Sequence, residues 1–214
     1  MSTAVLSYDG TQESLTTILQ ERCDRALAME RYPDARQVEL ELCRTDMAHW
    51  IREWCWTHDP RETGLKDLPL VPFPKQGELF EWIQKIETPD PKATRNVKHG
   101  LCEKSREVGV TWCFVARAVH GWLFTPGYSC GFGSLQREDV DQLGKISTIL
   151  EKARYIIRNL PDWMRPRGYV ESKHGMHCRI INPMNGAIIV GDGGDDMFRS
   201  GRYTEIVMDE AAHL

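Results

Sequence analysis

From about residue 98 onward, short β-rich runs alternate with longer helical ones, and no other feature restricts the fold of this chain as strongly. "HGLCEKS" reads as a short strand, "TWCFVARAVHGWLF" as a buried helix and "YSCGFGS" as a second strand. "REDVDQLGKISTILEKARYIIRNLP" contains a longer helix that stops before Pro161, because proline cannot continue the hydrogen-bond ladder. "CRIINPMNGAIIVGD" sets two β-rich arms around Asn185-Gly186, positions that tolerate positive φ and so predict a hairpin. "TEIVMDE" closes the series as an apolar strand. Strands separated by helices imply a mainly parallel sheet with helices packed against it, an α/β fold.

The preceding half differs. "QESLTTILQERCDRALAME", residues 12 to 30, carries Leu15, Ile18 and Leu19 at helical spacing. A second helix is expected over residues 36 to 55, with Trp50, Trp54 and Trp56 around its end as a packing patch. The prolines of "THDPRETGLKDLPLVPFPKQ" prevent long helices, and "GELFEWIQKIE" then opens a short one. The division expected is a helical arm over residues 1 to 60 and an α/β domain over 61 to 214. A hydrophobic share of 41% and a charged share of 27% suit a globular protein, and no apolar run is long enough to span a membrane. The N-terminus lacks a signal-peptide pattern, and seven cysteines without CxxC spacing fit reduced thiols in a cytoplasm. A net charge of −4 argues against a surface that coats nucleic acid throughout, while leaving room for a basic groove. "YTEIVMDEAAHL" runs from a strand pattern into the last residue, as expected of a cut from a longer protein or of a natural short form.

The chemistry concentrates in "EKSREVGVTW", residues 103 to 112. A phosphate-binding loop is written G-x-x-x-x-G-K-[ST]. Gly109 and Thr111 occupy the second glycine and hydroxyl positions, but Val110 stands in the lysine slot. The helix that follows offers backbone N–H groups and a partial positive charge to phosphate. Gly109 permits close backbone approach, and Thr111 can bind Mg²⁺ through its hydroxyl. A lysine acts as a point charge on a long stem, so Lys104, at the front of the loop, can replace the missing one, with Arg106 as a second cation. Asp209 and Glu210 end the strand "EIVMDE", where an aspartate can hold Mg²⁺ and a glutamate can activate water. In "PFPKQGELF", the Gln76 amide can pair with an adenine edge while Phe73 or Phe80 stacks on the ring.

Together, "WCWTHDPRE", "VPFPKQGELFEWI", "EKSREVGVTW", "FTPGYSCGFGS" and "FRSGRYTEIVMDEAAH" resemble the large terminase subunit of tailed bacteriophages, over roughly residues 50 to 214. That family often writes its loop as Ser-Arg, then Gly, then Ser or Thr, matching Ser105, Arg106, Gly109 and Thr111, and some members put the lysine at the front, as Lys104 does. The resemblance implies a P-loop NTPase fold of the additional-strand catalytic-glutamate type. It implies an ATPase that uses ATP and Mg²⁺ to move double-stranded DNA into a procapsid in the host cytoplasm. The site implied has Gln76 on adenine, Lys104, Ser105, Arg106, Gly109 and Val110 around the phosphates, Thr111 and Asp209 on the metal, and Glu210 as catalytic carboxylate. Arg199, or else Arg202, is expected to reach a neighbouring subunit's nucleotide as an arginine finger, a role worth about 10³–10⁵ in rate. The partners implied are DNA, the portal protein and the small terminase subunit, in a ring that forms during packaging from chains that are monomeric alone. The family's coupling motif and nuclease domain are not in this sequence, so no DNA cleavage is expected. Two other readings stay open: a non-catalytic assembly module, and a helicase-type ATPase.

Three further stretches have readings of their own. "HGMHC", residues 174 to 178, lacks a matching ligand pair for zinc and reads as a polar loop. "GDGGDD", residues 191 to 196, lacks the spacing of a calcium loop and reads as a flexible connection to the arginine segment. The basic run from Met164 to Arg179 can touch DNA phosphates or serve as a solvated loop.

Overall fold

A computed structural model describes residues 12–87, 99–103, 109–194, 197–199 and 201–209. The described residues begin with α1 (Gln12–Arg31), α2 (Ala35–Thr45) and α3 (Met47–Trp54). The single helix expected over residues 36 to 55 is two, because Asp46 leaves helical geometry at φ −124°. Its carboxylate accepts from the His49 N–H at 2.9 Å and so caps α3, an interaction that satisfies one of the free N–H groups of a helix start. The far end of α3 is closed by an arginine from another helix. Buried Arg22 donates to the carbonyls of Cys55 (2.7 Å), Ile51 (3.3 Å) and Arg52, and stacks over Trp56. A cation suits the negative end of a helix dipole, and the three carbonyls offset a burial that lowers the Arg22 pKa to about 10.

The proline-rich stretch contains a pair of short strands, β1 (Trp56–His58) and β2 (Asp67–Pro69), joined antiparallel. After α4 (Pro74–Glu87) and α5 (Val110–Phe124) comes β3 (Ser129–Ser134). Then follow α6 (Arg137–Val140), α7 (Ile149–Asn159), α8 (Glu171–His174), β4 (Arg179–Ile181), β5 (Ile188–Gly193) and β6 (Glu205–Met208). Strands β4 to β6 and β3 form one sheet in the order β4-β5-β3-β6. Both ladders of β3 are parallel and the β4–β5 ladder is antiparallel, giving a mixed α/β fold with a mostly parallel four-stranded sheet. The strand expected at "HGLCEKS" is not one over residues 99–103. That stretch joins no ladder, and Leu101, the apolar side chain that would seat it, is 87% exposed. Among the described residues no helix is long and apolar enough to cross a membrane.

One core connects the two halves. Trp50, Trp54 and Cys55 pack in the same cluster as Val115, Val119 and Trp122 of α5 and Ile156 of α7. Trp50 and Trp54 are therefore packing residues, as expected, with Trp54 edge-on to Trp163, whereas Trp56 is half-buried outside this cluster, beneath Arg22. His120 of α5 donates to the Cys43 carbonyl at 2.9 Å and lies against the rings of Trp50 and Phe124. Burial pulls its pKa down to about 4, more than the Cys43 carbonyl raises it, and Arg117 lowers it further. Asn182 and Asn185, in the hairpin loop, donate to the Trp122 and Leu123 carbonyls and so close the end of α5. The hairpin is real, but its loop runs from Asn182 to Ala187, and among those residues the left-handed one is Gly186 at φ 72°.

Arg154 of α7 is almost wholly buried and donates to both Asp141 oxygens at 2.7 Å. It also reaches Glu151 and the carbonyls of Gly175 and Met176, so α6, α7 and the turn after α8 meet at one guanidinium. Replacing it leaves Asp141 a buried charge without its partner. Arg154→Met is expected to lower stability by about 3–5 kcal/mol in urea unfolding, and adding Asp141→Leu to recover much of that loss. His120 gives a second expectation. An unfolded histidine takes up a proton near pH 6.5, whereas folded His120 does so only near 4. Stability contributed by neutral His120 is thus complete above pH 6.5 and is lost as the pH falls towards 4. Between pH 7 and 4.5 the urea midpoint of His120→Gln should fall less than that of the parent.

Candidate functional site

The carboxyl ends of β3 and β6 face the start of α5, and a cleft of about 230 Å³ lies there. In open α/β sheets ligands sit outside the carboxyl ends of the strands, where helix N-termini converge. Thr111, in the first turn of α5, donates from Oγ1 to Asp209 Oδ2 at 3.0 Å. Two residues 98 positions apart thus meet at the mouth of the sheet. Asp209 is held there by its own N–H, which donates to the Gly133 carbonyl at 2.9 Å and extends the β6–β3 ladder by one step.

Gly109 precedes α5 in the left-handed conformation, at φ 71°. A β-carbon there would lie 2.8 Å from Gln76 Nε2, so the loop and the first turn of α4 approach closely at this residue. Gln76 is buried, and its Oε1 accepts from the Phe73 N–H at 2.9 Å. The amide oxygen therefore fixes the entry to α4, while the nitrogen end of the amide lies towards the loop. Phe73 is 48% exposed and Phe80 is 7% exposed, so Phe73 has a ring face to offer a base and Phe80 belongs to the core. Val110 opens α5 and is partly buried. Lys104, Ser105, Arg106 and Glu210 lie outside the described residues.

The oxygens of Thr111 and Asp209 suit a hard divalent cation. Adjacent ligands of an octahedral Mg²⁺ with bonds of 2.0–2.1 Å stand about 2.9 Å apart, close to the separation found here. The chemistry a bound Mg²⁺ supplies is charge neutralisation on phosphate oxygens. An ion bound there would be held by the Thr111 hydroxyl and the Asp209 carboxylate.

Arg199 and Arg202 are both exposed. Arg199 follows Phe198, a residue at φ 61° whose N–H donates to Asp192 Oδ2 at 3.1 Å and whose ring lies over Gly131. That contact revises the expectation of a flexible "GDGGDD" connection. Residues 191–193 are the end of β5, and Asp192 holds the turn that carries Arg199. The "HGMHC" segment does acquire a neighbour the sequence did not reveal: Asp141 lies within 4.8 Å of the His177 and Cys178 donor atoms. Its oxygens, however, accept from Arg154 and from the Cys178 N–H, so the local cation is a guanidinium. A second cluster, Glu39, Cys43 and His49, is likewise a hydrogen-bond network. Burial pushes the Glu39 carboxyl up, but hydrogen bonds from His49 and Trp54 outweigh it and hold its pKa below the ordinary value.

The cleft also contains residues that motif reading missed: Ser134, Asp139, Thr148 and Lys152 join Thr111 and Asp209 in its wall. No spacing rule selects them, because a strand-end serine and a helix-start lysine are ordinary surface choices in a sequence. Compared with protein-family models and with curated proteins, the chain matches none.

The backbone at Gly109 gives a direct test of the loop geometry. Gly109→Ala is expected to cost about 1–2 kcal/mol in chemical denaturation, the penalty of a β-carbon in left-handed geometry. In a Gln76→Ala background the same substitution should still cost about 1 kcal/mol or more, because the strain resides in the backbone.

Proposed function

We propose that this chain is the ATP-hydrolysing motor domain of a large terminase, which drives double-stranded DNA into a phage procapsid. The observation that carries the reading is the contact of Thr111 with Asp209 at 3.0 Å, where the first turn of α5 meets the end of β6. A hydroxyl at a helix start and a carboxylate at a neighbouring strand end are the pair that holds Mg²⁺ in P-loop ATPases. The order of elements adds support, since Gln76, Gly109 and Thr111 converge although 35 residues separate the first from the last. In this reading the fold is a P-loop NTPase of the catalytic-glutamate type.

The mechanism that follows is positional. Gly109 and the N–H groups opening α5 cradle the phosphates, and Lys104 with Arg106 brings the positive charge that Val110 does not. Thr111 and Asp209 fix the metal position. Glu210, next along the chain from Asp209, takes a proton from the attacking water, which approaches the γ-phosphorus in line. Arg199, held by the Phe198 anchor, faces the nucleotide of an adjacent subunit in a ring that the portal and small terminase subunit help to assemble, with DNA in its channel.

Calorimetry with ATP, with and without Mg²⁺, should give Mg²⁺-dependent binding, and hydrolysis should follow in the parent protein. Lys104→Ala and Glu210→Gln should each reduce turnover below about 1% of the parent rate, while Glu210→Gln still binds ATP. Hydrolysis by Lys104→Ala at the parent rate would remove the shifted lysine from the mechanism. A folded sample that binds no nucleotide would instead identify a non-catalytic assembly module.

A further inference from the structure

The wall of the cleft opposite α5 has features that the metal pair does not use. Ser134 is the last residue of β3, is 3% exposed and lines the cleft, and its hydroxyl has no hydrogen-bond partner among the described residues. The exposure that remains to it opens on the cleft, so its hydroxyl is available there to a group that arrives from outside. Beside it Thr148 and Ile149 bring in the N-terminus of α7, an eleven-residue helix. Thr148 does not cap this helix. Its Oγ1 accepts from the Gln142 N–H and donates to the Lys145 carbonyl, so the first N–H groups of α7 get no side-chain acceptor from it. Glu151, the acid of the first turn, is turned to Arg154 and Arg158. Lys152, also in the wall, lies across this helix start with its Nζ donating to the Ser147 carbonyl at 2.5 Å.

An unpartnered hydroxyl, an uncapped helix start and a lysine are three donors converging on one space. Two carboxylates share that space. Asp209 is matched by Thr111 and by the divalent ion that accompanies a nucleotide, and Asp139 is exposed at the rim, where water screens it.

We propose that Ser134, the N-terminus of α7 and Lys152 form a second phosphate position, which receives the terminal phosphoryl group of the nucleotide and then the phosphate released. This rests on the reading of the cleft as a Mg²⁺-nucleotide site. The α5 side would hold the inner phosphates and the α7 side the outer one, so the cleft distinguishes triphosphate from diphosphate by the donors of α7. No donor of this wall belongs to the loop, and its lysine comes from a helix that follows the loop by more than one element.

Calorimetry with MgADP, a non-hydrolysable Mg²⁺-ATP analogue and inorganic phosphate tests the proposal on the parent, Lys152→Ala, Lys152→Arg, Ser134→Ala and Thr111→Ala proteins. Lys152→Ala should weaken the triphosphate analogue by about tenfold or more and MgADP by less than about twofold. Ser134→Ala should show the same selectivity with a smaller loss, and Lys152→Arg should recover most of the affinity. Inorganic phosphate should bind the parent and not Lys152→Ala. If the parent binds both nucleotides, Thr111→Ala loses both and Lys152→Ala changes neither, the second phosphate position is wrong and the nucleotide site stands. If phosphate binds through Lys152 but no nucleotide does, the position stands and the ATPase reading falls. A folded parent that binds none of the three ligands overturns both.

Discussion

Strand β3 sets the terms for everything around it. All six residues from Ser129 to Ser134 are buried, and the strand pairs parallel on both edges, with β5 on one side and β6 on the other. Neither neighbour can be reached by a tight turn, so long connections must leave and return over the faces of the sheet. Those connections carry α6 and α7 and the turn with Arg199. Glycines make the strand narrow enough for this crowding. A β-carbon at Gly131 would meet the Phe198 ring at 2.7 Å, and one at Gly133 would meet the sulfur atoms of Met208 and Met197. The side chains that the strand lacks are supplied by residues from later in the chain.

A second constraint is the treatment of buried charge. Arg22, Glu39, Asp141, Glu151 and Arg154 are all buried, and each is tied to a partner of opposite charge or to backbone carbonyls. Such groups add little net stability compared with apolar side chains of the same size, but they penalise any arrangement that separates them. Arg22 fixes α1 against the end of α3, and Arg154 fixes α7 against α6 and the turn before β4. At the start of β6, Glu205 accepts from the Tyr128 hydroxyl at 2.7 Å and pairs with Arg117 of α5. The strand that ends in Asp209 is therefore aligned at both of its ends before any ligand enters.

How much of this was legible in the sequence depends on the range of the interaction that determines each part. Helix α5 and strands β3 and β6 follow from apolar runs, which record burial locally, and all three lie where those runs predict. The break at Asp46 was hidden because an aspartate on the polar face of a helical pattern looks like any other, and its cap to His49 appears only with coordinates. Strands β1 and β2 are three residues each, too short for a period, and depend on a distant side chain: the Tyr155 hydroxyl donates to Asp67 at 2.7 Å. At the cleft, Thr111 and Asp209 stand in patterns that sequence reading selects, and their contact at 3.0 Å brings those two patterns together. Ser134 and Lys152 could not be so selected, because their meeting depends on α7 folding back over the end of β3.

The Phe198 anchor has a mechanical consequence. Its ring is wedged between the backbone of Gly131 and the edge of Tyr203, and its own N–H is tied to Asp192. The backbone that carries Arg199 is thus coupled to β3 and β5 at once, so the arginine's base is held while its long side chain extends into solvent. Its tip can change rotamer, but its base shifts only when the sheet itself shears. A force delivered to Arg199 from outside would pass to β3 and β5, and of these β3 ends in the cleft wall at Ser134.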